Sequence, residues 1–322
     1  MRNATAPMDF ADMEPDDVAS RIAGATPTGA AIRATPYRWP DPRSLPTRQW
    51  LLGHWLLRGE VTAIIAPGGT GKSTIGTALA LSLASGQPLL GKPLPRGPQS
   101  AWIYNLEDSQ DELDRQVSAA CLFHGVVPDD CRNRLCVDSG LVQPLCTATE
   151  DRDGFALAEG VFAQVAATVR ERAISVVIVD PFVSSHTVRE SSNETIDAIA
   201  KRWKRLAQET GCAVMLVHHT KKLGGREVTA EDGRGAVALR DAARVVLPLN
   251  AMSQTEAEEL GITDPALRRW CASIPAKPIA LPRARQLGSS WKASASTTAT
   301  AASLPIMSAL PAFGKSRTCS TG

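Results

Sequence analysis

The chain has almost no charge excess of either sign. Its 35 Lys and Arg stand against 33 Asp and Glu, a net +2. Bulk electrostatics therefore do not announce a nucleic-acid binder, although a local basic channel would not register in such a count. Its seven cysteines include no CxxC pair, and the number is odd, which argues against a zinc ribbon or a disulfide framework. Reduced thiols in a cytoplasmic protein are the expectation. No signal peptide and no apolar run of membrane length occur, so no membrane partner is expected. Finally, no Asp or Glu follows Asp264. What remains is a composition of 43% hydrophobic and 21% charged residues, that of a globular chain with one large domain or two small ones.

The most informative stretch is Ala66-Pro67-Gly68-Gly69-Thr70-Gly71-Lys72-Ser73-Thr74. It follows the β-branched run Val61 to Ile65 and precedes Ile75 to Ala84, rich in Ala and Leu at helical spacing. Strand, glycine loop and helix form the context of a phosphate-binding loop. Glycines let backbone N–H groups turn inward around phosphates, and the helix directs its positive end at the same anion. ATP is the expected ligand, with Lys72 reaching its β- and γ-phosphates and the Ser73 hydroxyl on Mg²⁺. Ala66 stands where the pattern usually begins with glycine; it is small and lies where strand becomes loop.

Residues 1–45 read as a flexible leader, with a short helix expected over Asp9 to Ile22. The apolar stretch Trp50 to Leu57 is expected to pack beside the nucleotide site or simply in the core. Strands are predicted at Ala101–Tyr104, Arg134–Val137, Ile174–Asp180, Cys212–Val217 and Arg244–Leu249. Helices are predicted at Ser109–His124, Gly154–Arg172, Glu194–Glu209 and Ala236–Ala242, with Gly211 as a C-cap signal. Gly224 to Gly235 is a polar, glycine-rich loop. Apolar strands alternating with amphipathic helices give an α/β fold, a mostly parallel sheet covered on both faces. Ligands of such sheets bind at the carboxyl ends of the strands.

The polar residues that stand out lie just after strand ends. Asp180 closes a β-branched run, the place for a Mg²⁺-holding aspartate or for a merely solvated one. Glu107 suits a general base that deprotonates the attacking water; Asp108 competes for that role, or caps the following helix. His218 and His219 end a strand beside that of Asp180, and one of them could sense the γ-phosphate. Adjacent strand residues point to opposite faces, so only one faces the nucleotide. Arg234, in the glycine-rich loop, is either a solvated arginine or an arginine finger.

Taken together, these motifs resemble the RepA-type hexameric replicative helicases and related RecA-like ATPases of plasmids and prophages. The likeness runs from about Pro36 to Trp270. It is carried by the phosphate loop, Tyr104-Asn105-Leu106-Glu107-Asp108, Val177-Ile178-Val179-Asp180-Pro181, Val217-His218-His219-Thr220-Lys221-Lys222, Arg234-Gly235-Ala236 and Asp241-Ala242-Ala243-Arg244. The resemblance implies a RecA-like ATPase domain over 46–270, assembled as a ring on single-stranded DNA with ATP between subunits. It implies Glu107 as base, Asp180 for Mg²⁺, His219 or His218 as sensor and Arg234 as finger. A regulatory or recombination ATPase without unwinding activity is the alternative.

The departure is at the end of the chain. The family continues with a Ser/Gly-Lys-Ala-Asn run and a further strand, whereas here Trp270 is followed by Cys271 to Ala280, and no strand or helix period persists over Trp291 to Ala301. Trp291 to Ala301 is almost entirely Ala, Ser and Thr. A disordered tail is expected there. A shifted reading frame would explain it: with GC-rich codons, Trp291 to Thr300 read from the third base gives Glu-Gly-Val-Arg-Leu-Asp-Asn-Gly, and the same shift over 270–280 can yield the missing Lys-Ala-Asn.

Overall fold

The structure, a computed structural model, describes residues 33–152, 154–189, 192–220, 236–251, 255, 258, 271–273 and 306–307. The expected Asp9–Ile22 helix, the 224–235 loop with Arg234, and most of the tail lie outside these residues. The chain divides into two compact units, Met1–Thr47 and Arg48–Gly322. In the first, a 3-10 turn at Pro42–Ser44 is capped by the Asp41 side chain, which accepts from the Arg43 amide.

In the second unit, β1 (Trp50–Leu52) and β2 (Leu56–Leu57) form a small antiparallel ladder. They lead into β3 (Val61–Pro67), α1 (Lys72–Ser85), β4 (Ala101–Asn105), α2 (Gln110–His124) and β5 (Leu135–Ser139). The hairpin β6 (Ala148–Asp151) and β7 (Gly154–Leu157) precedes α3 (Glu159–Glu171), β8 (Val176–Asp180), α4 (Asn193–Thr210) and β9 (Ala213–Thr220). α5 (Ala236–Ala242) and β10 (Val245–Pro248) complete the main sheet. Short strands β11 (Asn250–Ala251), β12 (Cys271–Ser273) and β13 (Ile306–Met307) pair antiparallel beyond it.

The main sheet has six parallel strands in the order β10-β3-β9-β8-β4-β5. Its central strands are buried on both faces, as their unbroken apolar runs require. Register sorts their side chains. Ile64, Ala66, Ile103, Ile178 and Val217 pack on the α1 side with Leu79 and Leu83. Ile65, Tyr104, Val179 and Leu216 pack on the other side with Phe162 of α3 and Trp203 of α4. Nearly every residue of α1 is buried, which accounts for its Ala- and Leu-rich sequence.

One local expectation is corrected and two open alternatives are decided. Gly154 does not begin a helix: with φ at +111° it starts β7, which pairs with β6, and α3 begins only at Glu159. Helical spacing after residue 157 was legible, but the preceding turn chemistry was read as its first turn. Asp108 does not cap α2; Ser109 does, accepting from the Glu112 amide. The Trp50–Leu57 hairpin belongs to the core rather than the nucleotide site. Leu51, Leu52 and Leu56 are fully buried, and the following turn is tied by Gly59 N–H to Cys212 O and by Arg58 to Gly211 O. Both acceptors precede β9, at the opposite end of the sheet from the glycine loop.

Candidate nucleotide site

β3 runs into the loop at Pro67, and α1 starts at Lys72. Gly69 (φ +76°) and Gly71 (φ +85°) adopt left-handed backbone that only glycine takes without strain. A Cβ at Gly68 or Gly69 would meet no heavy atom within 4 Å, so the crest of the loop is open. Thr70 Oγ1 braces it by donating to Pro67 O at 2.8 Å. Ala66 is a fully buried residue of β3, and its methyl group packs in the core under α1. That position needs no glycine because the chain is still extended there. Thr74, the third residue of α1, is exposed.

Lys72 is only 4% exposed. Its ammonium donates to Ala66 O at 3.1 Å and Pro67 O at 2.6 Å. Burial pulls its pKa down to about 8, against the upward pull of Asp180 and Glu107. Asp180 is equally buried. Burial raises its carboxyl to about 6, while a hydrogen bond from Ser73 and the charge of Lys72 act the other way and Glu107 and Asp108 add to the rise. The glycine loop, Ser73, Lys72, Asp180 and Glu107 thus converge at the carboxyl end of the sheet. A hydroxyl and a carboxylate already in hydrogen-bond contact are a donor set suited to a hard divalent cation.

Glu107 and Asp108 follow β4, which lies directly beside β8 with Asn105 in register with Asp180. Glu107 is exposed, touched at its Oε1 by the Ser184 hydroxyl at 3.5 Å. Asp108 is held at Oδ2 by Gln116 Nε2 at 3.1 Å and Asn105 Nδ2 at 3.3 Å. The two histidines separate as adjacent strand residues must. His219 is exposed and in register with Ala66, on the α1 side. His218 is buried on the other side, its ring 6.4 Å from that of Phe182. Asn105, Ser184 and Gly140 shape this site and were not singled out from the sequence. An Asn right after an apolar strand, three residues before an Asp, is the turn signal that would have pointed to the first.

A parallel sheet with a glycine loop between strand and helix, a buried lysine, and an aspartate one strand removed defines a phosphate-loop nucleoside triphosphatase with a RecA-like α/β fold. Residues 26–225, more than half of the chain, match the family model described as AAA domain. The chain belongs to this family of phosphate-loop ATPases, and nucleotide is its ligand.

Proposed function

We propose that this ATPase is a motor acting on single-stranded DNA as a hexameric ring, in the manner of the RepA-type replicative helicases it resembles. The observation that carries the hydrolytic part is the convergence of Glu107, Lys72 and Asp180 at the mouth of the glycine loop. Lys72 turns from the Ala66 and Pro67 carbonyls to the β- and γ-phosphates of ATP. Glu107 takes a proton from water, the hydroxide attacks the γ-phosphorus, and the bridging oxygen leaves with ADP. Ser73 and Asp180 would hold Mg²⁺, which supplies charge neutralisation on the phosphates. His219, on the α1 side, fits the sensor role better than the buried His218. Arg234, proposed as the finger from a neighbouring subunit, rests on the resemblance.

Glu107→Gln tests the base. ATP binding is expected to stay near wild type while hydrolysis falls by about 10²-fold or more; wild-type turnover in this variant would make Asp108 the base. A forked strand-displacement assay tests the motor. Displacement that requires ATP supports it, and DNA-stimulated hydrolysis without displacement favours the regulatory alternative. The acid-free stretch after Asp264 further supports a frame change near the Trp270 codon, giving a C-terminally defective product. Gene sequencing decides this: if no single frame restores a family-like ending, the tail is simply divergent.

A further inference from the structure

We infer that Asn105 is a positioning residue that decides which of two adjacent carboxylates serves as the base. The inference rests on Glu107 acting as that base. Asn105 closes β4 and is 4% exposed, and its side-chain amide makes three hydrogen bonds. Oδ1 accepts from the backbone N–H of Glu107 at 2.9 Å and of Asp108 at 2.8 Å. Nδ2 donates to Asp108 Oδ2 at 3.3 Å. One side chain therefore folds the Leu106–Asp108 turn and ties down one of its two carboxylates.

The rest of the turn is pinned as well. Leu106 N–H donates to Asp180 O at 2.8 Å, Gly140 N–H to Asn105 O at 2.6 Å, and Ser139 Oγ to Asp108 O at 2.6 Å. Gln116 holds Asp108 from the α2 side. Glu107 alone projects, with the long Ser184 contact as its brace. The division of labour between Glu107 and Asp108 thus comes from hydrogen bonds rather than from any intrinsic difference between the acids.

The chemistry requires an amide. The position must accept from two N–H groups and donate to a carboxylate at once, which a carboxamide does and a hydroxyl or carboxylate does not do fully. Aspartate would keep the acceptors but set another negative charge against Asp108 and beside Asp180. Leucine, of similar size, would leave two backbone N–H groups without their partner and let the turn relax.

The test is a double-mutant cycle on the full chain, with turnover and ATP affinity measured separately. Asn105→Leu is expected to lower kcat by roughly 10- to 100-fold, the scale of a misplaced catalytic group, with ATP affinity changed less than about twofold. Asn105→Ser, which keeps one acceptor, falls between. In the Glu107→Gln background Asn105→Leu adds no further loss, because both changes remove the same function. Wild-type turnover in Asn105→Leu overturns the inference, and so does an additive loss in the double variant. If Asn105→Leu does not fold, Asn105→Ser is carried through the same cycle with the same readings. Failure of the base assignment is visible on its own, as full turnover in Glu107→Gln alone.

Discussion

Two buried histidines near the site carry a pH dependence with a definite sign. His186 and His218 are 7% and 4% exposed, and Phe182 stacks edge-on with both. Burial pulls each from 6.5 to about 4; for His218, His219, His186 and Lys72 add to the fall. Held neutral in the folded chain, each takes up a proton on unfolding. Its stabilising contribution is therefore complete above 6.5 and is lost as pH falls toward 4. Asp180, raised from 3.8 to about 6, works in the opposite sense over part of that window, so a difference measurement is needed. In denaturant titrations at pH 7 and pH 5.5, the gap between wild type and His186→Phe should change by about 1 kcal/mol, the variant losing less on acidification. A gap that does not move with pH would show that His186 is protonated as readily folded as unfolded. At the same scale, Ala66 explains its own departure from the usual glycine: it is still an extended residue of β3, and its methyl group fills core space under α1.

The turns after β4 and β5 form one interlocked element, and Gly140 is where they meet. A Cβ there would lie 2.6 Å from Leu106 Cδ2 and 3.0 Å from Leu106 Cα. The second of these is backbone and cannot rotate away. Gly140→Ala should therefore displace the turn that presents Glu107, lowering kcat by about tenfold or more while ATP binding persists. Stability should also fall by about 1–3 kcal/mol, the usual toll of overpacking. Unchanged turnover, with a normal melting profile, would mean that the two loops move independently. The end of α4 was easier to anticipate: Gly211, read as a C-cap signal, is left-handed and donates back to the last turn, as Gly125 does after α2.

For the molecule as a whole, the proposed ring can be tested through its mixed assemblies. A site completed in trans makes a specific demand on mixtures of defective chains. Lys72→Ala removes the phosphate partner from its own subunit's site, and, if Arg234 is the proposed finger, Arg234→Ala removes what a neighbour would receive. Each variant alone should be nearly inactive, whereas mixed rings should regain part of the ATPase rate at interfaces that join the two intact halves. If mixed rings form, shown by mass, and no activity returns, the trans finger is excluded. Among the described residues no helix is long and apolar enough to cross a membrane.

The glycine loop, its flanking strand and helix, and the carboxylates at strand ends were legible because each is local. A glycine pattern demands left-handed backbone, a doubly buried strand must be apolar throughout, and the polar residue that ends it marks the sheet's carboxyl edge. Of the strand order only the neighbourhood of β9 and β8 was legible; the places of β3 and β4 were not, since crossovers bring them in and their pairing depends on distant packing. That order puts Asn105 beside Asp180 and sets Ala66 against His219. Which histidine faces the α1 side follows from register, and a slip of one residue would reverse it. The β6–β7 hairpin was masked by the helical spacing that follows it. The sequence by itself thus determined a phosphate-loop ATPase core, through short-range backbone and burial requirements. Only the tertiary structure decided how the turn after β4 is held from outside, because beyond the local Asn105 bonds its partners Gln116, Ser139, Gly140 and Asp180 come from a helix and other strands.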